Sequence, residues 1–167
     1  MSGQVDLLQP SARPSTLGPT LAIEGYASLW WVRDLNDDVV AAGAFAESLA
    51  RRPDVKMLLR HQADEPVGVW DRVAEDGRGL FVSGRVFAGT TAGRLVAAGA
   101  VDGLSIGFRT AKARRDGRLR VLSAVDLREV SLVTFPACLG ARIKMASERL
   151  LSTRFGPGEG RLSRRTR

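Results

Sequence analysis

Two of the three Asp-Gly steps constrain this chain more than any other feature. Asp76-Gly77 separates the β-prone runs 66–74 and 79–87, and Asp116-Gly117 separates 103–110 from 119–125. An Asp-Gly step favours the tight turns that join antiparallel neighbours, so both pairs read as hairpins. In the run 79–87, Leu80, Val82, Gly84 and Val86 alternate with Phe81, Ser83, Arg85 and Phe87, the two-residue period of a pleated strand. Three further strands are expected: one over 21–31, rich in apolar and aromatic residues; one over 55–60, ending at His61; and one over 127–134, closed by Pro136. Asp34, Asn36, Asp37 and Asp38 form a polar, turn-rich loop. Phe45 and Leu49, four apart, predict a helix over 44–51 that Pro53 ends. A small-residue helix over 90–98 stops at Gly99. Seven strands and two helices, joined by hairpins rather than regular βαβ units, predict a mainly β fold. Its expected form is a seven-stranded antiparallel barrel with peripheral helices.

The 167 residues suit one domain with short tails. Residues 1–20 carry Pro10, Pro14, Pro19 and Gly18 among serines and threonines and read as a flexible leader. The domain is assigned to 21–148, and 149–167 to a basic disordered tail. That tail holds six arginines against Glu159, a net +5 of the chain's formal +7, and the leader is neutral, so the core carries only +2. A charged tail can attract an acidic partner or nucleic acid. A nucleic-acid-binding barrel is nevertheless disfavoured, because aromatic residues are only 6% of the chain and form no stacking array. No run approaches the roughly 18 apolar residues of a membrane span, and no signal peptide is visible, so a cytoplasmic location without membrane partners is expected. Cys138 alone excludes an internal disulfide and fits a reducing compartment. One cysteine and one histidine cannot make the usual zinc site, and no P-loop or dinucleotide fingerprint occurs. No metal and no cofactor are expected.

Three residues are candidates for chemistry. His61 is the sole histidine and opens a polar loop after an apolar strand, so any imidazole acting as a general base at neutral pH must be this one. Ser105 lies in an apolar strand between Gly103 and Gly107, which leave room for another backbone or a peptide to approach. The alternative is a barrel serine that bonds a neighbouring carbonyl. Glu129 interrupts an apolar strand and needs a partner, either an imidazole or Arg128 or Arg109 in a salt bridge. Cys138 follows Pro136 in a loop without the basic or helix-start setting that activates a thiol, and ranks below Ser105.

The succession Gly25-Tyr-Ala-Ser28, Gly43-Ala-Phe45, Leu58-Leu-Arg-His61, Pro66-Val-Gly68, Gly79-Leu80, Gly103-Leu-Ser-Ile-Gly-Phe108 and Leu127-Arg-Glu-Val-Ser-Leu-Val-Thr-Phe-Pro-Ala137 resembles the tailed-phage prohead proteases. These capsid maturation serine proteases also occur in prophages and gene transfer agents and are related to the herpesvirus assemblins. The resemblance spans about residues 21–146 and implies the assemblin fold, a seven-stranded antiparallel barrel surrounded by helices. It implies that His61 is the catalytic base and Ser105 the nucleophile. Assemblins use a second histidine as third member, which this chain lacks; the matching position is Glu129, with Asp126 in reserve. The implied activity is a serine endopeptidase inside the assembling procapsid, cutting the scaffold or the scaffold segment of the major capsid protein, and its own tails. A homo-oligomer is compatible with this. The competing reading is a catalytically inactive barrel of the same descent, serving as a capsid scaffold or binding module.

Overall fold

The computed structural model describes residues 18–145, so the expectations for most of the leader and for all of the basic tail lie outside the described residues. The element order is β1 (Thr20–Leu29), β2 (Asp38–Val40), α1 (Ala46–Arg51), β3 (Lys56–Leu59), β4 (Pro66–Glu75), β5 (Gly79–Phe87), α2 (Thr91–Ala97), β6 (Gly103–Asp116), β7 (Leu119–Val133) and β8 (Ile143–Met145). The Asp76-Gly77 and Asp116-Gly117 steps turn hairpins, whereas Asp102-Gly103 leads from α2 into β6. Between β4 and β5 the Asp76 carboxylate accepts from the Arg78 and Gly79 N–H groups at 2.8 and 3.1 Å. Between β6 and β7 Gly117 takes φ 59°, which glycine adopts without side-chain clash.

All eight strands join one sheet in the order β2-β7-β3-β4-β5-β1-β8, with β6 on the other side of β7. The sheet curls until its ends meet. Gly103 bridges Arg142, Leu104 N–H donates to Ala141 O at 2.9 Å, and β8 pairs with β1 directly after that bridge. Inside the curl lies the core, formed by Ile23, Met57, Leu59, Val67, Leu80, Val82, Val86, Leu122, Leu127, Val130 and Leu132, all at most 2% exposed. Phe45 enters it ahead of α1, and α2 adds Ala92 and Val96. Among the described residues no helix is long and apolar enough to cross a membrane.

The mainly β barrel with outer helices matches the expectation from sequence, but its details differ. Among the described residues there are eight strands rather than seven, and β2 and β3 both run parallel to β7. Residues 119–125 and 127–134, expected as two strands, form the single strand β7. The polar loop at 34–38 does turn, but Asp38–Val40 then adds a three-residue strand, and Asp38 is buried against Arg120 at 2.6 Å. The first strand ends at Leu29 because Trp31 adopts φ 61° and breaks the pleat. β6 runs on through Asp116 over an arm exposed on both faces, which shows no apolar alternation in sequence.

One irregularity in β7 sets the geometry of everything around it. Gly107 pairs with Glu129 and Phe108 pairs with Leu127, leaving Arg128 without an opposite residue. This is a β-bulge, which reverses which face later side chains occupy. Leu127 lies in the core, and after the bulge Val130 and Leu132 do so too, so Glu129 and Ser131 face the other way. The Leu127 N–H beside the bulge donates to Ser48 Oγ of α1 at 2.8 Å in a fully buried bond. Ser48→Ala removes that acceptor and should destabilise the fold by about 1–3 kcal/mol in urea unfolding, a desolvated N–H being left behind; an unchanged midpoint would contradict this role.

Candidate active site

The hairpin β6–β7 and the parallel pair β3–β7 converge on one short stretch of β7. Ser105 pairs with Ser131 across the hairpin, and Leu58 pairs with Ser131 on the other side. Directly opposed residues of an antiparallel pair point to the same face, so Ser105, Ser131 and Glu129 share one. β3 then delivers His61. The Arg60 N–H donates to Leu132 O at 3.0 Å and the His61 N–H to Ser131 Oγ at 3.0 Å. Arg60 and His61 adopt φ 52° and 62° in succession, a left-handed conformation uncommon for non-glycine residues and frequent at functional sites.

The side chains then line up. His61 Nδ1 lies 2.5 Å from Glu129 Oε1, and His61 Nε2 lies 3.0 Å from Ser105 Oγ. A carboxylate only accepts, so Nδ1 carries the proton of the neutral ring and Nε2 presents its lone pair to the serine hydroxyl. Glu129 is only 8% exposed and would be costly to bury unpaired. Its second oxygen accepts from Ser131 Oγ at 2.6 Å. The hydrogen bond to Glu129 raises the His61 pKa above its ordinary 6.5, and partial burial opposes that rise.

The structure brings His61, Ser105 and Glu129 together in one array, while the other candidates lie apart from it. Asp126, the reserve carboxylate, pairs with Arg128 at 2.6 Å. The salt-bridge alternative for Glu129 is not what forms, because Arg128 is engaged with Asp126 and Glu129 with His61 and Ser131. Cys138 lies on the wall of the cavity beside the array, but both ring nitrogens of His61 are already engaged. The flanking glycines serve the chain itself rather than an incoming strand. A Cβ on Gly107 would sit 1.9 Å from Glu129 Oε1, and one on Gly103 would meet Val133 O at 2.7 Å. Gly107 therefore makes the space in which the carboxylate reaches the imidazole.

Ser131 is not among the candidates that sequence suggests, yet it carries a signal there. The sequence shows only a break in the two-residue apolar period between Leu127 and Val130; the structure puts Leu127, Val130 and Leu132 all in the core, so the bulge between them turns Glu129 and Ser131 to the opposite face. Beside the array opens a cavity of about 500 Å³, lined by His61 and Ser105 and rimmed by Val32, Leu35 and Phe135. Phe135 is 88% exposed and Leu35 68%. Ser105 is thus reachable from solvent beside apolar surface.

The chain is 41% identical over 124 residues to the prohead protease of Enterobacteria phage HK97, a match covering 68% of this chain and 55% of that protein. It therefore spans about half the length of that relative. Three solved structures share the fold. The bacteriophage T4 capsid assembly protease superposes with a TM-score of 0.59 at 14% identity, over 70% of this chain and 82% of its own. KSHV protease in complex with a hexapeptide phosphonate inhibitor gives 0.55 at 14%, over 75% and 64%. Varicella-zoster virus protease gives 0.52 at 17%, also over 75% and 64%. The sequence profile of the caudovirus prohead serine proteases matches residues 11–154, and with a match over most of its length this chain belongs to that family.

Proposed function

We propose that the protein is a serine endopeptidase of procapsid maturation, with Ser105 as nucleophile, His61 as general base and Glu129 as the group that orients and charges the imidazole. The observation that carries this reading is the continuous line Ser105 Oγ, His61 Nε2, His61 Nδ1, Glu129 Oε1, with contacts of 3.0 and 2.5 Å. Such a line fits acyl transfer. The Ser105 oxygen attacks a peptide carbonyl carbon as its proton passes to His61 Nε2, and Glu129 stabilises the imidazolium that forms. Nε2 then gives that proton to the leaving amine, the C–N bond breaks, and an acyl-serine remains. Water, deprotonated by the same imidazole, attacks the acyl carbon; the acyl–oxygen bond to Ser105 breaks as Nε2 returns the proton to Oγ, and the carboxylic acid product leaves.

The substrate we assign is the scaffold or the scaffold segment of the major capsid protein, cut inside the assembling particle, with self-cleavage of the tails. Family membership supports this. So does the volume constraint of a filling particle, in which a scaffold occupies space that packaged DNA must later take and therefore has to leave as fragments. Intact mass of the full chain, followed over time alone and with the major capsid protein, tests it. Wild-type protein should release fragments and Ser105→Ala should release none, as should His61→Ala, with losses of order 10³-fold or more. Cleavage by Ser105→Ala at the wild-type rate would remove the serine from the mechanism. Absence of cleavage by every form would favour a non-catalytic capsid-binding barrel.

The array also predicts a pH profile. His61 must be neutral to accept a proton, and its pKa is raised by Glu129, so the acid limb of kcat/KM should have its midpoint above 6.5. Glu129→Gln removes the anion and should lower turnover while moving that midpoint downward. A midpoint unmoved by the substitution would uncouple Glu129 from the base. Gly107→Ala should reproduce much of the activity loss of Glu129→Gln, about 10²–10⁴-fold by the cost of misorienting a triad histidine, because its methyl group takes the place of Oε1. Full activity in Gly107→Ala would show that the carboxylate position is not critical.

A further inference from the structure

We propose that Ser131 is a positioning residue of this site, a hydroxyl that locks the carboxylate and the backbone of the base to each other; the proposal rests on reading Ser105, His61 and Glu129 as the catalytic array. Ser131 is fully buried, at 0% exposure, and touches both His61 and the carboxylate that orients it. Its oxygen accepts from the His61 N–H at 3.0 Å, and its hydroxyl lies 2.6 Å from Glu129 Oε2. The direction of each bond is fixed by chemistry. A backbone N–H can only donate and a carboxylate can only accept, so the Ser131 proton points to Glu129.

The two bonds together achieve what neither would alone. Glu129 has two oxygens on a side chain with three torsions, and Oε1 reaches Nδ1 only if the carboxylate plane is held. The donated bond to Oε2 holds it. The accepted bond fixes the backbone of His61, whose φ of 62° places the ring over β7. Imidazole and carboxylate are therefore referenced to the same atom, and that atom belongs to the residue paired in register with Ser105. Partners at this remove from the chemistry commonly change activity through the group that they orient. Ser131 touches no reacting atom and acts entirely through Glu129 and His61.

The test uses the full chain and an alkyl fluorophosphonate probe, which phosphonylates an activated serine through oxygen–phosphorus bond formation with loss of fluoride. Labelling of Ser105 is followed by intact mass, separating the maximal rate from the half-saturating concentration. Ser131→Ala should lower the maximal rate about 10–100-fold with the half-saturating concentration changed less than about twofold. Ser131→Thr and Ser131→Val have nearly the same volume and differ in the hydroxyl, so they separate hydrogen bonding from packing: Thr should retain labelling and Val should fall to the level of Ala. In a Glu129→Gln background, Ser131→Ala should cost less than about twofold more, since coupled residues are non-additive. Equal rates for Thr and Val, or a full additional loss in the Gln background, would overturn the positioning role. Wild-type labelling in Ser131→Ala alongside abolished labelling in Ser105→Ala would overturn it while sparing the catalytic array. Labelling that persists in Ser105→Ala would instead overturn the array itself.

Discussion

Placing the Glu129 carboxylate in the buried second half of β7 is the constraint to which the rest of the site answers. At 8% exposure an ionised carboxylate needs donors in place of water. Two are supplied, the imidazole at 2.5 Å and the Ser131 hydroxyl at 2.6 Å. The space comes from Gly107, opposite in register. Orientation comes from the bulge at Arg128, which turns Glu129 out of the core between Leu127 and Val130. A regular strand would have aimed this carboxylate into the same core as Leu127.

The topology then assembles the other groups around that anion. β7 is paired on both edges, with β6 on one side and β2 and β3 on the other, so its second half is buried and held rigidly. The β6–β7 hairpin brings Ser105 to the face of Glu129, and the parallel β3 brings His61 from a distant part of the chain. The His61 side chain is 43% exposed, so the array has one buried end and one open to the cavity. That gradient fits the proposed role of His61 as a base, with one nitrogen open to the cavity and the other held by Glu129. The raised pKa of His61 follows from the same asymmetry, since the hydrogen bond to the buried anion outweighs the partial loss of solvent.

The parts of this that sequence reveals are those with local signals. Asp-Gly steps mark the two hairpins, the alternation of Leu80, Val82 and Val86 marks β5, and Thr90 before a small-residue run marks α2, where its hydroxyl accepts from Gly93 N–H. Ser105 and Glu129 are legible as polar residues out of place in apolar strands, His61 as the sole histidine just past one, and all three as matches to family blocks. What stays hidden depends on long-range pairing. Three-residue β2 and β8 have no periodicity to read, and the parallel partners of β7 are set by contacts between segments far apart in the chain. The exposed arm 109–116 lacks an apolar face. Gly107 reads in sequence as room for an incoming chain, because sequence cannot say that the room is filled from within by Glu129.

His61 is the only histidine in the chain, so its imidazole resonances need no assignment, and a nitrogen-15 NMR titration reads the coupling of Glu129 to His61 directly. The expected result is a neutral ring protonated on Nδ1, a pKa above 6.5 in the wild-type protein, and a fall in that pKa on Glu129→Gln. A ring protonated on Nε2, or a pKa that Glu129→Gln leaves where it was, would contradict the claim that the buried carboxylate holds and charges the base.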